Sequence, residues 1–167
     1  MSIPGFTTAG LLPRGVHVAD LDEVELALVP AGSSVRRRAA FHGVASWALH
    51  AGALFGAGTL WLGGGFVSMS EPGDTAIVVY LPDDLALAAK ALDGGGLDLL
   101  SLMDVQYSYP GTGGAMRERW PVSALVDAYI ADRVTVRTYQ RMLGMVVAPD
   151  GISVSDAKGF VQVEVGR

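Results

Sequence analysis

The strongest indication of the fold is the stretch Trp61–Tyr80, WLGGGFVSMSEPGDTAIVVY. In this stretch an apolar run ends at three consecutive glycines, a short polar segment follows, and a run rich in β-branched residues comes after Asp74. Glycine permits tight backbone turns, and β-branched residues favour strands. The stretch therefore predicts two strands, Thr59–Leu62 and Thr75–Leu81, which are separated by a glycine turn and an acidic residue.

The residues before this stretch predict two helices. Asp20, with a glutamate three positions later, has the pattern of a capping box and predicts a helix over 21–29. Ser33 or Ser34 can cap a longer helix over 35–56, in which apolar residues recur with helical spacing. Both helices lie ahead of the first predicted strand.

The residues after this stretch predict a mixture of helices and strands. The predicted elements are a helix over 82–92, a strand over 99–109, a helix over 121–131 and a final strand over 160–165. Residues 133–139 fit either a strand or a continuation of the preceding helix. Helices followed by mixed strands and helices indicate an α/β (α+β) fold. The length predicts one domain over 1–167, with an N-terminal segment and short helix in 1–33 and the core in 34–167.

Composition excludes several classes of protein. Half of the 167 residues are hydrophobic and 17% are charged, which argues against a disordered chain. The net charge of −5 provides no overall basic field for nucleic acid. The chain has no cysteine, so disulfides, thiolate metal sites and cysteine nucleophiles are excluded. Its first residues do not have the pattern of a signal peptide.

One segment raises the question of a membrane. Residues 43–67 contain no formally charged residue, and Arg36, Arg37 and Arg38 stand just before them. A membrane span needs about 20 apolar residues, and a basic flank is typical of one. However, six glycines fall between positions 52 and 65 of this segment, and each weakens a helix by about 1 kcal/mol relative to alanine. We therefore predict a buried helix followed by a strand.

Three short patterns occur in a fixed order along the chain. They are LPRGVH at 12–17, GGFVS at 64–68 followed by PGDTA at 72–76, and KGF at 158–160. This set resembles a nucleotidyltransferase-like family of bacteria and phages. Its members open with a segment like LPPGIH, have a core motif close to GSFVT followed by PxDxD, and end with KGI or KGF. The resemblance implies a small mixed sheet flanked by helices.

The resemblance implies a nucleotide-binding turn at Gly64, Gly65 and Ser68. In active members a Gly-Ser turn lets the backbone approach a triphosphate, and the serine hydroxyl holds a phosphate oxygen. Gly64 matches the motif glycine, but Gly65 stands where the serine belongs. From the residues alone, a tight turn between two strands explains these glycines equally well.

The resemblance also implies a metal site, and here the chain departs from the pattern. Active members hold two divalent metals with an aspartate pair on one strand and a third acid on a neighbouring strand. Asp74 matches the first aspartate, Ala76 replaces the second, and Asp104 is the candidate for the third acid. The loss of one carboxylate removes ligands from both metals. Asp74 and Asp104 are thus predicted to be vestigial catalytic residues, with Asp74 as the metal ligand that is left.

A cluster of arginines is the remaining candidate site. Arg36, Arg37 and Arg38 begin the second predicted helix, and such a run is typical of a solvated helix face. The alternative is a local patch for an anionic ligand, to which Arg14, Arg117 and Arg119 would add.

These observations predict a catalytically degenerate nucleotidyltransferase-like protein, a pseudoenzyme that acts as a binding, structural or assembly protein. An apolar surplus in a chain of this kind is typical of an interface, so a protein partner or self-assembly into an oligomer is expected. We expect no cofactor, except Mg²⁺ if the site were active. A soluble phage or prophage protein of the cytoplasm or virion is expected.

Two alternative functions stay open. One is a metal-dependent nucleotidyltransferase that modifies a nucleic acid or a protein, for which a nucleotide or nucleic acid would be the ligand. The other is a membrane-associated protein that binds through residues 43–67, although we do not expect a membrane partner.

Overall fold

The computed structural model describes residues 3–69, 75–96, 100, 107–108, 115–116, 125–147, 153–154 and 157–166. The helices are α1 (Leu21–Leu28), α2 (Val35–Phe55), α3 (Leu85–Asp93) and α4 (Val136–Leu143). The strands are β1 (Val16–Val18), β2 (Gly58–Gly64), β3 (Ala76–Pro82), β4 (Tyr107–Ser108), β5 (Ala115–Met116), β6 (Val126–Ile130), β7 (Val146–Val147), β8 (Ser153–Val154) and β9 (Phe160–Val165). The fold is therefore of the α+β class.

A five-stranded mixed sheet in the order β1-β9-β2-β3-β6 organises the described residues. The central strand β2 pairs antiparallel with β9 on one side and with β3 on the other. The outer pairs, β1 with β9 and β3 with β6, are parallel. Two short hairpins, β4 with β5 and β7 with β8, lie outside this sheet.

Helices cover both faces of the sheet. Alternate residues of a strand point to opposite faces, so Leu60 and Leu62 of β2 join the core that α1, α2 and α3 cover, whereas Trp61 faces α4. The α2 core contains Tyr80, whose buried hydroxyl donates to the carbonyl oxygen of Gly56 at 2.5 Å. Desolvation by burial, aided by the negative charge of Asp83, raises the pKa of Tyr80.

Local sequence signals explain where the first helices begin. Asp20 forms the predicted capping box: its side chain accepts from the backbone N–H of Glu23, and the Glu23 side chain accepts from the N–H of Asp20. Ser34 caps α2 by accepting from the N–H of Arg37 at 3.0 Å. Asp84 caps α3 in the same way. The predicted helices over 21–29, 35–56 and 82–92 are thereby confirmed to within a few residues.

The predictions for the strands are partly confirmed. The strands predicted at 59–62, 75–81 and 160–165 correspond to β2, β3 and β9. The predicted helix over 121–131 is wrong where the structure describes it, because Val126–Ile130 forms β6 and pairs with β3. Both readings of 133–139 are also wrong, since a turn at 133–135 precedes α4. The strand predicted over 99–109 lies largely outside the described residues. Within that range, the described residues Tyr107–Ser108 form the strand β4.

The apolar segment 43–67 divides into the end of α2, the strand β2 and a 3-10 helical turn over Gly65–Val67. The predicted helix followed by a strand is confirmed. Among the helices that the structure describes, none has the length and apolar character needed to cross a membrane.

Candidate functional site

The three glycines at 63–65 span the end of β2 and the start of the 3-10 turn, and we call this region the glycine turn. It is shaped by close packing. Gly64 has a φ of 77°, a conformation that favours glycine, and a Cβ at this position would lie 2.7 Å from the carbonyl oxygen of Thr75. A Cβ on Gly63 would lie 2.6 Å from the side chain of Leu143, because α4 packs directly on this part of β2. Strand pairing therefore explains why position 64 holds a glycine, and the packing of α4 explains why position 63 does.

The turn uses some of its own backbone donors. The N–H of Phe66 donates to the carbonyl oxygen of Thr75 at 3.2 Å, and that of Ser68 donates to the carbonyl oxygen of Gly65 at 3.1 Å. Donors that are engaged in this way are not directed at a phosphate. These bonds support a tight turn between two strands, in preference to a turn that binds a nucleotide.

Position 76, where the resemblance predicts an aspartate, lies in a row of buried, uncharged residues. Gly64 of β2 pairs with Ala76 of β3, which in turn pairs with Val126 of β6. All three residues are buried, and Ala76 and Val126 have no exposed surface. A carboxylate at position 76 would enter the apolar core that α2 covers, where an unpaired charge is costly.

Ser68 does not face solvent, contrary to its predicted role in binding a nucleotide. It is fully buried, and its hydroxyl donates to the carbonyl oxygen of Gly10 at 3.2 Å. The backbone N–H of Met69 donates to the same oxygen at 2.7 Å. Ser68 therefore joins the end of the glycine turn to the N-terminal loop.

Arg37 explains how this turn is held against α2. Its guanidinium donates to the carbonyl oxygens of Leu28 at 3.0 Å, Phe66 at 2.8 Å and Ser68 at 2.6 Å. The guanidinium also lies over the ring of Phe66, with its carbon 5.4 Å from the ring centroid. Arg37 is 7% exposed, so these contacts form inside the protein.

The predicted arginine patch is therefore wrong for Arg37. Arg36 and Arg38 are exposed on α2, but the buried Arg37 between them points inward and binds backbone oxygens. Arg38 itself donates to the carbonyl oxygen of Ser33 at 2.5 Å. A helix places successive side chains about 100° apart, so three consecutive arginines cannot share one face.

Lys158 and Gly159 connect the glycine turn to the N-terminal loop. The buried Lys158 ammonium donates to the carbonyl oxygen of Gly64 at 3.0 Å. The N–H of Gly159 donates to the carbonyl oxygen of Leu12 at 3.0 Å, and a Cβ on Gly159 would overlap the carbonyl oxygen of Pro13. The next residue, Phe160, begins β9 and pairs with β1.

Three of the short patterns, LPRGVH, GGFVS and KGF, thus meet in space. We call this region the motif junction, and it consists of Leu12–His17, Arg37, Gly64–Ser68 and Lys158–Phe160. Within it His17 contacts the carbonyl oxygen of Pro13 through Nε2 at 2.7 Å. The contacts are mostly between side chains and backbone carbonyl oxygens, which is the chemistry of a structural clamp.

The predicted metal site stays a prediction, because the described residues do not include its two carboxylates. Asp74 and Asp104 lie outside the part of the chain that the structure describes, as do Arg117 and Arg119. Within that part, no group of three or more His, Asp or Glu side chains is arranged to hold a metal ion.

A second candidate site lies between α4 and the loop before β1. Its cavity of about 340 Å³ is lined by Arg14, Gly15, Val16, Arg137, Gln140, Arg141, Gly144, Lys158 and Phe160. We call it the cationic cleft. The sequence reading missed it because α4 was not predicted. A helix over 136–143 would have shown that Arg137 and Arg141, four residues apart, share one face.

Asp132 organises the turn from which α4 starts. Its carboxylate accepts from the backbone N–H of Val134 at 2.9 Å and from the N–H and hydroxyl of Thr135, both at 2.7 Å. These bonds, led by the one from the Thr135 hydroxyl, lower the pKa of Asp132 because they stabilise the charged carboxylate. The turn fixes the direction of α4 and hence of its arginines.

The molecule is thus an α+β protein in which buried cations donate to the backbone of a glycine turn, while a cationic cleft opens beside α4. The chain belongs to the DUF6932 family, a family of unknown function whose model matches residues 4–164. No curated protein and no solved structure matches the chain. The resemblance to nucleotidyltransferase-like proteins stays a prediction.

Proposed function

We propose that this protein is a catalytically degenerate nucleotidyltransferase-like protein that acts by binding, as a structural or assembly component. The observation that carries the proposal is the row Gly64–Ala76–Val126, which is buried and uncharged across three paired strands. Nucleotidyl transfer with two metals needs carboxylates that can reach both ions. At position 76 the chain supplies a methyl group that is packed in the core.

The motif junction supports the same proposal. Lys158 and Arg37 donate to carbonyl oxygens of the glycine turn and its end, and the buried Ser68 binds the N-terminal loop. A turn that is held in this way is a rigid structural feature. Function on such a scaffold then depends on the surfaces that it presents to partners.

A labelling experiment tests the proposal. The protein is incubated with each of the four nucleoside triphosphates, labelled at the α-phosphate, with Mg²⁺ or Mn²⁺ and with nucleic acid or protein acceptors. We expect no transfer of label, and the Asp74→Ala variant should behave like the wild type. Metal-dependent labelling that Asp74→Ala abolishes would establish the alternative, a metal-dependent nucleotidyltransferase.

A second variant tests the row itself. Ala76→Asp restores the missing carboxylate of the motif, but it places a charge in the apolar core. We expect it to lose about 3 kcal/mol or more of stability and to gain no activity. Thr75→Asp is the matched control, because Thr75 is only half-buried. A stable Ala76→Asp variant that binds Mg²⁺ would contradict our interpretation of the row.

Light scattering tests the assembly part of the proposal. Assembly predicts a molar mass that exceeds the 17.4 kDa of one chain and rises with protein concentration. A mass of one chain at every concentration would count against self-assembly. The proposal would then require that the protein binds a different protein.

A further inference from the structure

The cationic cleft concentrates positive charge in an acidic protein. Three arginines and one lysine line it, out of 12 Lys and Arg residues in a chain of net charge −5. None of its described lining residues is acidic. Like charges four residues apart on a helix repel one another, as Arg137 and Arg141 must. A ligand that carries negative charge would offset this repulsion.

The guanidinium groups of the cleft are available to such a ligand. Arg14, Arg137 and Arg141 are exposed. Across the described part of the chain, none of these three side chains is engaged in a hydrogen bond or an ion pair. Each guanidinium can present two parallel N–H groups to two oxygens of one phosphoryl group, a geometry that ammonium groups lack.

We propose that the cationic cleft binds an anion with two or more adjacent phosphoryl groups. A single phosphate monoester carries a charge of about −1.5 to −2 at neutral pH, which is less than the formal charge of the three exposed guanidinium groups. A triphosphate carries more negative charge and supplies enough oxygens for all three guanidinium groups. The volume of about 340 Å³ lies within the range of about 300–1,000 Å³ that is typical of small-molecule sites.

This site is independent of the proposed loss of nucleotidyl transfer. The cleft lies beside α4, whereas the row Gly64–Ala76–Val126 contributes to the core on the α2 side of the sheet. Lys158 contacts both the cleft and the row, since it lines the cleft and its ammonium donates to the carbonyl oxygen of Gly64. Inorganic triphosphate and the triphosphate of a nucleotide share the chemistry that the cleft would recognise.

Calorimetric titration of the whole chain tests the proposal. Sodium triphosphate, ATP, AMP and sodium sulfate are titrated at one ionic strength without divalent metal. We expect triphosphate to bind at least tenfold more tightly than AMP or sulfate. Equal binding of ATP and triphosphate would show that the phosphoryl groups alone are recognised, and tighter binding of ATP would identify a nucleotide site. Both results support the proposal.

A pair of double variants assigns the binding to the cleft. Arg137→Gln with Arg141→Gln should weaken triphosphate binding at least tenfold without lowering the Tm of the free protein. Arg36→Gln with Arg133→Gln makes the same change of charge at two exposed arginines outside the cleft and should bind like the wild type.

Three results would overturn the proposal. They are no binding of triphosphate by the wild type, an equal loss in both double variants, or sulfate binding as tight as that of triphosphate. Each is distinct from failure of the proposed function, which would appear as transfer of nucleotide label.

Discussion

The two sides of the sheet use arginine in opposite ways. On the α2 side, Arg37 is buried and its guanidinium donates to three backbone carbonyl oxygens. On the α4 side, Arg137 and Arg141 are exposed and line a cavity with Arg14 and Lys158. The guanidinium group therefore binds the protein's own backbone on the α2 side, whereas on the α4 side it faces solvent.

The role of a cation therefore follows from its partners more than from its residue type. A buried guanidinium without partners would be costly, so Arg37 must find acceptors inside the fold. Exposed guanidinium groups keep their hydration and have donors left for a ligand. The α2 side should accordingly respond to substitution with loss of stability, and the α4 side with loss of binding.

The largest effect is expected for Arg37. Arg37→Met keeps an unbranched apolar stem but removes the guanidinium, which leaves the carbonyl oxygens of Leu28, Phe66 and Ser68 without this donor. We expect a loss of about 3–5 kcal/mol in the free energy of unfolding, measured by urea denaturation. The neighbouring exposed Arg36→Met should change it by less than about 0.5 kcal/mol. Equal effects of the two substitutions would remove the contrast between the two sides.

A smaller loss of stability is expected for Gly159, the residue just before β9. Gly159→Ala would push a Cβ into the carbonyl oxygen of Pro13 and to within 2.7 Å of that of Gly15, which separates β9 from the N-terminal loop. Overpacking of this kind costs about 1–3 kcal/mol. Gly5→Ala is the matched control, because a Cβ there meets nothing within 4 Å. A Tm of Gly159→Ala equal to that of Gly5→Ala would show that the loop is not clamped.

Tyr80 offers a pH-dependent test of the α2 side. Tyr80→Phe leaves the carbonyl oxygen of Gly56 without its donor, and we expect a loss of about 1–2 kcal/mol at pH 7. Because the pKa of Tyr80 is raised in the fold, the unfolded chain releases this proton first, at about pH 10. The wild type should then lose stability as the pH rises through the pKa of Tyr80 in the folded protein. The difference in free energy of unfolding between the wild type and Tyr80→Phe should therefore become smaller. Urea denaturation at pH 7 and above pH 10 measures this, and a constant difference would contradict it.

The smallest effect on stability is expected on the α4 side. Arg137→Gln with Arg141→Gln removes two exposed charges that repel each other, so the free energy of unfolding should stay within about 0.5 kcal/mol of the wild type. A loss as large as that of Arg37→Met would show that these arginines support the fold instead of an open cleft.

Local patterns predicted much of the chain. The capping box at Asp20, the serine before α2 and the β-branched run of β3 each depend on neighbours in sequence, and each was found in its predicted place. β6 was missed because VDAYI is short and adopts a strand through its pairing with β3. A short run of this kind has no period that distinguishes strand from helix.

The candidate sites were less predictable, for a related reason. Ser68 and Arg37 looked like surface ligands because their residue types bind anions, but burial turned both toward backbone oxygens. The cationic cleft joins a residue at 14 to residues at 137, 141 and 158. No pattern along the chain links positions so far apart, and the helix that presents two of them was not predicted.

The order of residues was sufficient to predict a strand, a glycine turn and a strand between β2 and β3, and it shows that position 76 has no carboxylate. Local backbone preferences and side-chain chemistry are sufficient for those conclusions. Three other features became apparent in the folded protein: Ala76 lies in the core, Arg37 points inward, and Arg14, Arg137 and Arg141 line one cavity. Burial and the meeting of distant residues arise from packing, which the order of residues does not display.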